Sequence, residues 1–370
     1  MDKNQISVFQ LVVLLYVCRS FNLFTATLHD VGAGYGAVHL AAFPLAAVFQ
    51  LGLMVPAYLL TRATGRGLGE SVAAVMGRWG LWFPILGAGY LLTTTSLTVY
   101  CMANFLVNTA FPGASALFFA GTLVLAAGYA ASLGVEGIAR AALILCVAFS
   151  LGLLAIFLGV IQRLDSLNIQ PFPLDGGAAG VVRSAWKIAA RSSPVFTFAA
   201  LSHKTRGRGA AKGFLWYLLA SLVLQEIVTF LVAAALGDLA AAKAFPLFTL
   251  TTVSRISVFQ RMDALHLGVW TAISFLRIAA NFCACGELLR PFAPKGETAA
   301  GKRRLLVFFM AAAVCGGGAL MGSLGLLRWL LEALSSGWPL AAALFFGPLL
   351  LLGVFGIQKR RERGRLHEVG

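Results

Sequence analysis

The apolar residues of this chain fall into ten runs that are separated by short polar segments. A helix needs about 20 apolar residues to cross the ~30 Å hydrocarbon core of a bilayer. The pattern therefore predicts an all-α polytopic membrane protein with about ten transmembrane helices, at about 6–28, 37–60, 80–109, 114–133, 139–162, 181–203, 212–236, 262–286, 305–324 and 338–357. We expect a single integral membrane domain over residues 1–370 with a basic tail at 358–370.

The sixth run is divided in its middle by polar residues. It reads GVVRSAWKIAARSSPVFTFAALSHK, and its proline, Pro194, lacks a backbone N–H and disfavours helix at the residue before it. The run therefore predicts a helix in two halves that separate at Ser192–Pro194, which makes Ser192 and Ser193 candidate ligand-binding residues. Three basic residues at i, i+4 and i+8 share one face of the first half, which we expect to line a vestibule or the protein interior: Arg183, Lys187 and Arg191.

The first run carries a positive charge at membrane depth. It reads VFQLVVLLYVCRSFNLF, and Arg19 lies roughly 20 Å along the helix from Ile6. A charge there costs at least ~2.5–3.5 kcal/mol on insertion scales, and such a residue is by default a candidate for function. We expect the helix to be interrupted at Cys18–Asn22, and we take Arg19, Ser20 and Asn22 as candidate ligand-binding residues.

The interrupted runs are the first and the sixth, which are corresponding places if the ten helices form two sets of five. Broken helices at matching positions in two halves are typical of transporters with a site near the midplane. This predicts one repeat at about 6–162 and a second at about 181–357. Two independently kinked helices remain the alternative, since the repeat is inferred from the helix count alone.

Charge placement predicts the orientation of the chain. Charged residues make up 12% of the sequence, about half of what a soluble protein carries, and the formal net charge is +15. The basic residues lie in short loops and in the tail, a pattern that orients membrane helices rather than one that binds nucleic acid. With the N-terminus inside, the inner segments hold nineteen of the 29 Lys and Arg residues and the outer loops hold five. Both termini are therefore predicted to be cytoplasmic.

Other polar residues also fall at membrane depth. Glu226 lies midway along the seventh run, and Arg277 and Asn281 lie four residues apart in the eighth. Thr94 belongs to a hydroxyl-rich side of the third run. We take Arg277 and Thr94 as candidate ligand-binding residues and Glu226 as a possible proton or ion-pair site. Ordinary interhelical hydrogen bonds, or a structural ion pair of Glu226 with an arginine, are the alternatives.

Nothing in the sequence indicates an enzyme, a cofactor or a metal site. The six cysteines lie in or beside apolar runs without a CxxC pair, and the five histidines show no paired spacing. The glycine-rich segments GAGYG and GRGAAKG lack the setting of a dinucleotide or phosphate loop. We interpret both as short loops between helices.

The segment around the eighth run reads FPLFTLTTVSRISVFQRMDALHLGVWTAISFLRIAANF. It contains an aromatic–proline start, an arginine-x-acid-alanine run, a tryptophan and a phenylalanine-x-basic pair: Phe245-Pro246, Arg261-Met262-Asp263-Ala264, Trp270, and Phe275 with Arg277. With these residues the segment resembles the spore permease family, the B subunits of spore germinant receptors. The segments Ile6–Gln10 and Asn168–Gly177, the chain length and the number of runs add to the resemblance.

The resemblance implies a LeuT-like 5+5 inverted repeat of the amino acid–polyamine–organocation superfamily, with helices 1 and 6 unwound. It implies a subunit of a germinant receptor in the spore inner membrane that senses an amino acid or similar small nutrient. The implied partners are this nutrient, membrane lipid, an A subunit and a lipoprotein C subunit. In such a fold Arg19 and Arg277 approach one midplane site beside Ser192–Pro194, and this net positive site suits a carboxylate or another anion.

The sequence departs from the family pattern at this site. Cys18-Arg19-Ser20 stands where small or glycine residues are usual in helix one of the family. The family pattern also has an acidic residue after the break in helix six, and Val195–Ala200 contains none. These departures bear on the ligand more than on the fold. Two other functions therefore stay open, namely a proton-coupled amino acid permease with Glu226 as carrier and an assembly subunit whose pocket is vestigial.

Overall fold

The chain folds almost entirely into helices. The computed structural model describes residues 5–24, 37–169, 177–206, 209–237, 239–243, 245–256, 259–260, 263–292, 310–319 and 326–368. Its helices are α1 (Val8–Phe24), α2 (Ala37–Thr64), α3 (Leu68–Met76), α4 (Trp82–Phe105), α5 (Ala116–Leu133), α6 (Val135–Val160), α7 (Gly177–Ala190), α8 (Ser193–Leu201), α9 (Ala210–Leu236), α10 (Leu239–Ala242), α11 (Pro246–Val253), α12 (Asp263–Leu289), α13 (Met310–Ala319), α14 (Leu326–Ser335), α15 (Trp338–Ala341) and α16 (Gly347–Glu368).

Short turns extend several of these helices. Two five-residue π-helical turns, Leu106–Ala110 and Ala342–Phe346, follow α4 and α15.

The described chain also contains two-residue strands: β1 (Ile6–Ser7), β2 (Thr205–Arg206), β3 (Arg255–Ile256) and β4 (Phe259–Gln260). β1 pairs with β2 in parallel, and β3 pairs with β4 in an antiparallel hairpin.

The helices correspond to the ten apolar runs. Seven helical segments of the described chain are long and apolar enough to cross a membrane: Val38–Thr64, Leu68–Ala110, Ala116–Leu133, Val135–Arg163, Ala210–Leu236, Asp263–Leu289 and Trp338–Gln358. The first and ninth runs contain the shorter apolar helices α1 and α13. The sixth run forms α7 and α8. The chain is therefore an integral membrane protein, as predicted.

The sixth helix is broken where the sequence predicts. α7 ends at Ala190 and α8 begins at Ser193, so that Pro194 occupies the first turn, where a missing N–H leaves no hydrogen bond unmade. Every residue of α8 is buried. The buried side of α7 packs small alanines against α2, while Arg183 and Lys187 are exposed on the other side.

The first helix is not broken at Cys18–Asn22, and that prediction was wrong. α1 is continuous from Val8 to Phe24. None of the five residues in question is a glycine or a proline, and a mid-helix serine is accommodated when its hydroxyl donates back to the carbonyl four residues earlier. Ser20 does this, with 3.0 Å from its Oγ to the oxygen of Tyr16. Residues 25–36 lie outside the described part of the chain.

α12 lies at the centre of the bundle. It contacts α1, α4, α5, α6 and α8, and its middle turns from Ile273 to Cys285 are almost completely buried. α1 lies between α6, α9 and α12. A close approach of α1 to α9 is possible because residue 213 is glycine, where a Cβ would overlap the side chain of Val8. The bundle thereby brings α1, α8 and α12 together at one depth.

One end of the bundle, which we call the basic side, is held together by charged groups and by β1 and β2. The Glu287 carboxylate lies 3.3 Å from Nζ of Lys204, 3.4 Å from Nε2 of His203 and 3.5 Å from Nη1 of Arg290. The β1–β2 pair joins the start of α1 to the segment that follows α8, and Arg206 donates to Gln5. On this side, α1, α8 and α12 are therefore directly connected.

Candidate ligand-binding site

Arg277 connects the first helix to the break in the sixth. Its Nη1 donates to Oδ1 of Asn22 at 2.7 Å and to the carbonyl oxygen of Cys18 at 3.3 Å. Its Nη2 donates to Oγ of Ser193, the first residue of α8, at 3.1 Å. The Phe21 ring lies under the guanidinium, 4.8 Å from its centroid, in a cation–π arrangement. A planar fork with several donors can bridge two helices in this way, and a lysine ammonium cannot.

Arg19 is buried on the side of α1 that faces α9. Its Nη2 donates to Oε1 of Gln225 on α9 at 3.1 Å, while its Nε and Nη1 have no hydrogen-bond partner among the described residues. Nε of Arg277 also has none. Because Arg277 bonds to the carbonyl of the residue next to Arg19, both guanidiniums belong to one site, and their charges repel.

The break between α7 and α8 supplies polar groups to the same site. The Ser192 hydroxyl is buried there and interacts with the buried hydroxyl of Tyr217 on α9, while the Ser221 hydroxyl of α9 has no partner in the described chain. The Tyr90 hydroxyl of α4 donates to the Ala190 carbonyl oxygen at 3.1 Å, which satisfies one of the carbonyls at the end of α7. The break therefore places buried hydroxyl groups beside the arginines.

A hydrogen-bonded chain fixes α8 against α4 and α12. Asn281 is one turn from Arg277 on α12, and its Nδ2 donates to Oγ1 of Thr95 at 2.9 Å. Its Oδ1 accepts from Oγ1 of Thr197 on α8, also at 2.9 Å. Because a buried amide with both ends satisfied holds a defined orientation, this chain positions the neighbouring turn that carries Arg277.

No described acid forms an ion pair with either arginine. Glu226 is half-buried on α9 and has no hydrogen bond or ion pair with a described residue, so the structural pair with Arg19 or Arg277 that the sequence left open is not formed. Arg19 instead contacts the neighbouring Gln225, which is buried. Two guanidiniums buried without a carboxylate leave the site with a net positive charge.

Aromatic residues cover the site toward the α12 end that begins at Asp263. The Trp270 ring is fully buried, stacks on Phe24 at 5.4 Å between centroids and lies 4.2 Å from Phe105 and 5.6 Å from Phe245. Phe21, under Arg277, lies 6.1 Å from Trp270. Phe245, Trp270 and Arg277 carry the family resemblance, and the structure brings them into one continuous assembly. Arg261 and Met262 of the same motif lie outside the described residues.

The structure brings together five of the residues proposed from sequence: Arg19, Asn22, Ser192, Ser193 and Arg277. The hydroxyls of the two others donate to carbonyls of their own helices, Ser20 to Tyr16 and Thr94 to Leu91, and they form no hydrogen bond to these five residues in the described chain. Sequence reasoning did not select Gln225, Thr95, Tyr217 and Phe21. Asn281 lies four residues after Arg277, and this spacing was the sequence feature that could have predicted the hydrogen bonds of the Asn281 amide to other helices.

Two comparisons with known proteins agree with this architecture. A spore permease family model, described as a spore germination protein, matches residues 43–290, which is more than half of the chain. A solved Na⁺-coupled sialic acid symporter, in a substrate-bound outward-open state, is similar with a TM-score of 0.64 and 13% sequence identity, covering 92% of this chain and 79% of that one. No curated protein matches. At this identity the symporter shows the fold alone, a LeuT-type transporter fold. The predicted fold class is confirmed, except that helix 1 is not broken at Cys18–Asn22.

Proposed function

Because this chain belongs to the spore permease family of spore germination proteins, we propose that it is the nutrient-binding membrane subunit of a germinant receptor. Its family and fold are those of membrane transport proteins and not of enzymes. In this proposal the ligand is an amino acid or a similar small nutrient whose anionic group binds between Arg19 and Arg277. The receptor's A and C subunits are the proposed partners, and the spore inner membrane is the proposed location.

The observation that carries the proposal is the pair of buried guanidiniums without a carboxylate. A buried charge is expensive unless it is paired and hydrogen-bonded. Arg19 has one protein acceptor, and two of its three nitrogens have none in the described chain. A carboxylate accepts two parallel N–H bonds from such a fork and neutralises it at the same time. An anionic ligand is therefore the simplest group that satisfies both the charge and the free donors.

Arg19→Lys is expected to raise the half-saturating nutrient concentration for germination about tenfold at normal protein level. The lysine retains the charge but loses the planar fork, and a hydrogen bond to a charged group contributes about 1.5–3 kcal/mol. The half-saturating concentration is read from dose–response curves of spores, with protein level measured by immunoblot. Arg140→Lys is the matched control, since Arg140 is exposed and pairs only with Glu136 on its own helix. A wild-type curve for Arg19→Lys, or failure of the variant to accumulate, would make Arg19 a packing residue.

A proton-coupled amino acid permease is the second candidate, and Glu226 is the observation that favours it. Its carboxyl group is half-buried in a membrane helix and free of ion pairs with the described residues. A carrier of this type moves amino acid by itself when a pH gradient is imposed. Uptake by the purified chain in liposomes, lost in Glu226→Gln, would support the permease over the receptor subunit.

We also propose that both termini and the basic side face the cytoplasm, following the positive-inside rule. Ala211 and Ser166 are exposed on the predicted inner loop His203–Lys212 and outer loop Asp165–Gly177. On a background lacking the six native cysteines, Ala211→Cys is expected to resist an impermeant thiol reagent in intact cells, whereas Ser166→Cys reacts. Labelling of Ala211→Cys from outside would reverse the orientation and contradict the ten-helix topology.

A further inference from the structure

A second concave surface lies on the membrane-facing side of α1. It is a groove of about 910 Å³ between α1, α6 and α9, which we call the α1–α9 groove. Its walls are apolar over most of their length, from Phe9 on α1 to Ile227 on α9, with Cys146 of α6 at the back. Phe9 and Ile227 are 67% and 52% exposed in the protein alone, so the groove opens toward the bilayer.

Among the described residues that line the groove, Lys212 is the one with a charge, and it lies at one end. Lys212 and Trp216, one turn apart on α9, form its mouth on the basic side, and both are exposed. Tryptophan favours the headgroup level of a membrane, and lysine there extends its ammonium toward lipid phosphates. Each basic residue near an anionic membrane surface contributes about 1 kcal/mol to the attraction.

The dimensions of the groove match one leaflet. From Lys212 to Ile227 the groove follows α9 for fifteen residues, roughly 22 Å at 1.5 Å per residue. One leaflet, with its headgroup region, is about 20–22 Å thick. A molecule with an anionic head at Lys212 and an acyl chain along α9 therefore matches both the charge and the length of the groove. A transmembrane helix from a partner would need apolar contacts beyond Lys212, where the groove becomes polar.

We propose that the α1–α9 groove is a binding site for an anionic diacyl phospholipid, with its phosphate at Lys212 and an acyl chain between α1 and α9. The same helix α1 carries Arg19, two turns past the groove residue Val12 and on nearly the same face. The lipid thus packs against the helix that forms the ligand site. The lipid proposal does not depend on the nutrient proposal, because no residue that lines the groove hydrogen-bonds to either guanidinium in the described chain.

The proposal is tested on the purified full chain equilibrated with equal amounts of phosphatidylglycerol and phosphatidylcholine that have identical acyl chains. Native mass spectrometry then measures retained lipid. We expect wild type to retain one phosphatidylglycerol in preference, and Lys212→Gln to lower the ratio of retained phosphatidylglycerol to phosphatidylcholine about fivefold. Ala220→Phe fills the middle of the groove and is expected to lower retention of both lipids.

Two control variants lie outside the groove. Arg62→Gln removes an exposed basic residue at the end of α2, and Ala126→Phe enlarges an exposed residue of α5. Both are expected to retain lipid as wild type does. The proposal is overturned if Lys212→Gln keeps the wild-type lipid ratio, if Ala220→Phe keeps the wild-type amount, or if the groove variants lose a copurifying protein instead of lipid.

Discussion

Arg277→Lys is expected to raise the half-saturating nutrient concentration about a hundredfold, the largest effect of any conservative change in the site. Arg277 donates to Asn22 and Cys18 on α1 and to Ser193 on α8, whereas Arg19 has one protein acceptor. A lysine ammonium at the same position reaches at most part of this set. Each charge-assisted hydrogen bond that is lost costs about 1.5–3 kcal/mol. The variant also loses the side chain that hydrogen-bonds to both α1 and α8.

The prediction separates a binding role from a packing role by measuring two quantities. Dose–response curves give the nutrient concentration, and the amount of the subunit in spore membranes shows whether the bundle still assembles. Arg290→Lys serves as the control, because Arg290 directly follows α12, is exposed and belongs to the Glu287 cluster on the basic side. An unchanged dose–response curve for Arg277→Lys would remove Arg277 from the ligand site. Normal affinity with reduced protein level would assign it to packing alone.

The sequence predicts which helices meet more reliably than it predicts how each helix is rotated. Pro194 placed the break of the sixth helix correctly, because proline acts through local backbone geometry. The hydroxyl-rich side of the third run was also recognised, but the interhelical bond belongs to Thr95 rather than Thr94. One residue changes the direction of a side chain by about 100° on a helix, which is enough to exchange two neighbours.

The rotation of α9 also decides whether Gln225 or Glu226 faces Arg19. Glu226 was selected from sequence because it is charged at membrane depth, but Gln225 is the residue that hydrogen-bonds to Arg19. In a soluble helix the apolar stripe identifies the buried face. A transmembrane helix is apolar toward both lipid and protein, so the stripe is weak, and the facing residue follows only from the packing of α1 against α9.

The error at the first helix has a related cause. Cys18–Asn22 was expected to interrupt α1 because polar residues cluster there. In the structure these residues stay in a continuous helix, in which Ser20 donates to the Tyr16 carbonyl while Asn22 and the Cys18 carbonyl accept from Arg277. Tertiary hydrogen bonds from a residue more than 250 positions away are not visible in a local pattern. Polar clustering therefore selected residues that hydrogen-bond to other helices, although it gave the wrong backbone conformation.

Deleting this chain is expected to abolish the response of its receptor to nutrient while spores still germinate with nutrient-independent triggers. A receptor subunit that holds the ligand is indispensable for sensing, whereas the later steps of germination do not involve it. Phase-darkening of spores after addition of nutrient, and separately after a nutrient-independent trigger, measures the two responses. Reintroducing the wild-type gene restores the nutrient response, and Arg140→Lys serves again as a conservative control.

The same deletion distinguishes the receptor subunit from a permease that acts by itself. A receptor subunit depends on its assembly, so we expect its level in the spore membrane to fall when the A or C subunit is removed. A self-sufficient permease accumulates normally in those strains, and the purified chain takes up amino acid in liposomes. An assembly subunit with a vestigial pocket loses the response on deletion but tolerates Arg19→Lys and Arg277→Lys. Loss of response on deletion, together with dose–response shifts in both lysine variants, is therefore the combination that only the nutrient-binding subunit predicts.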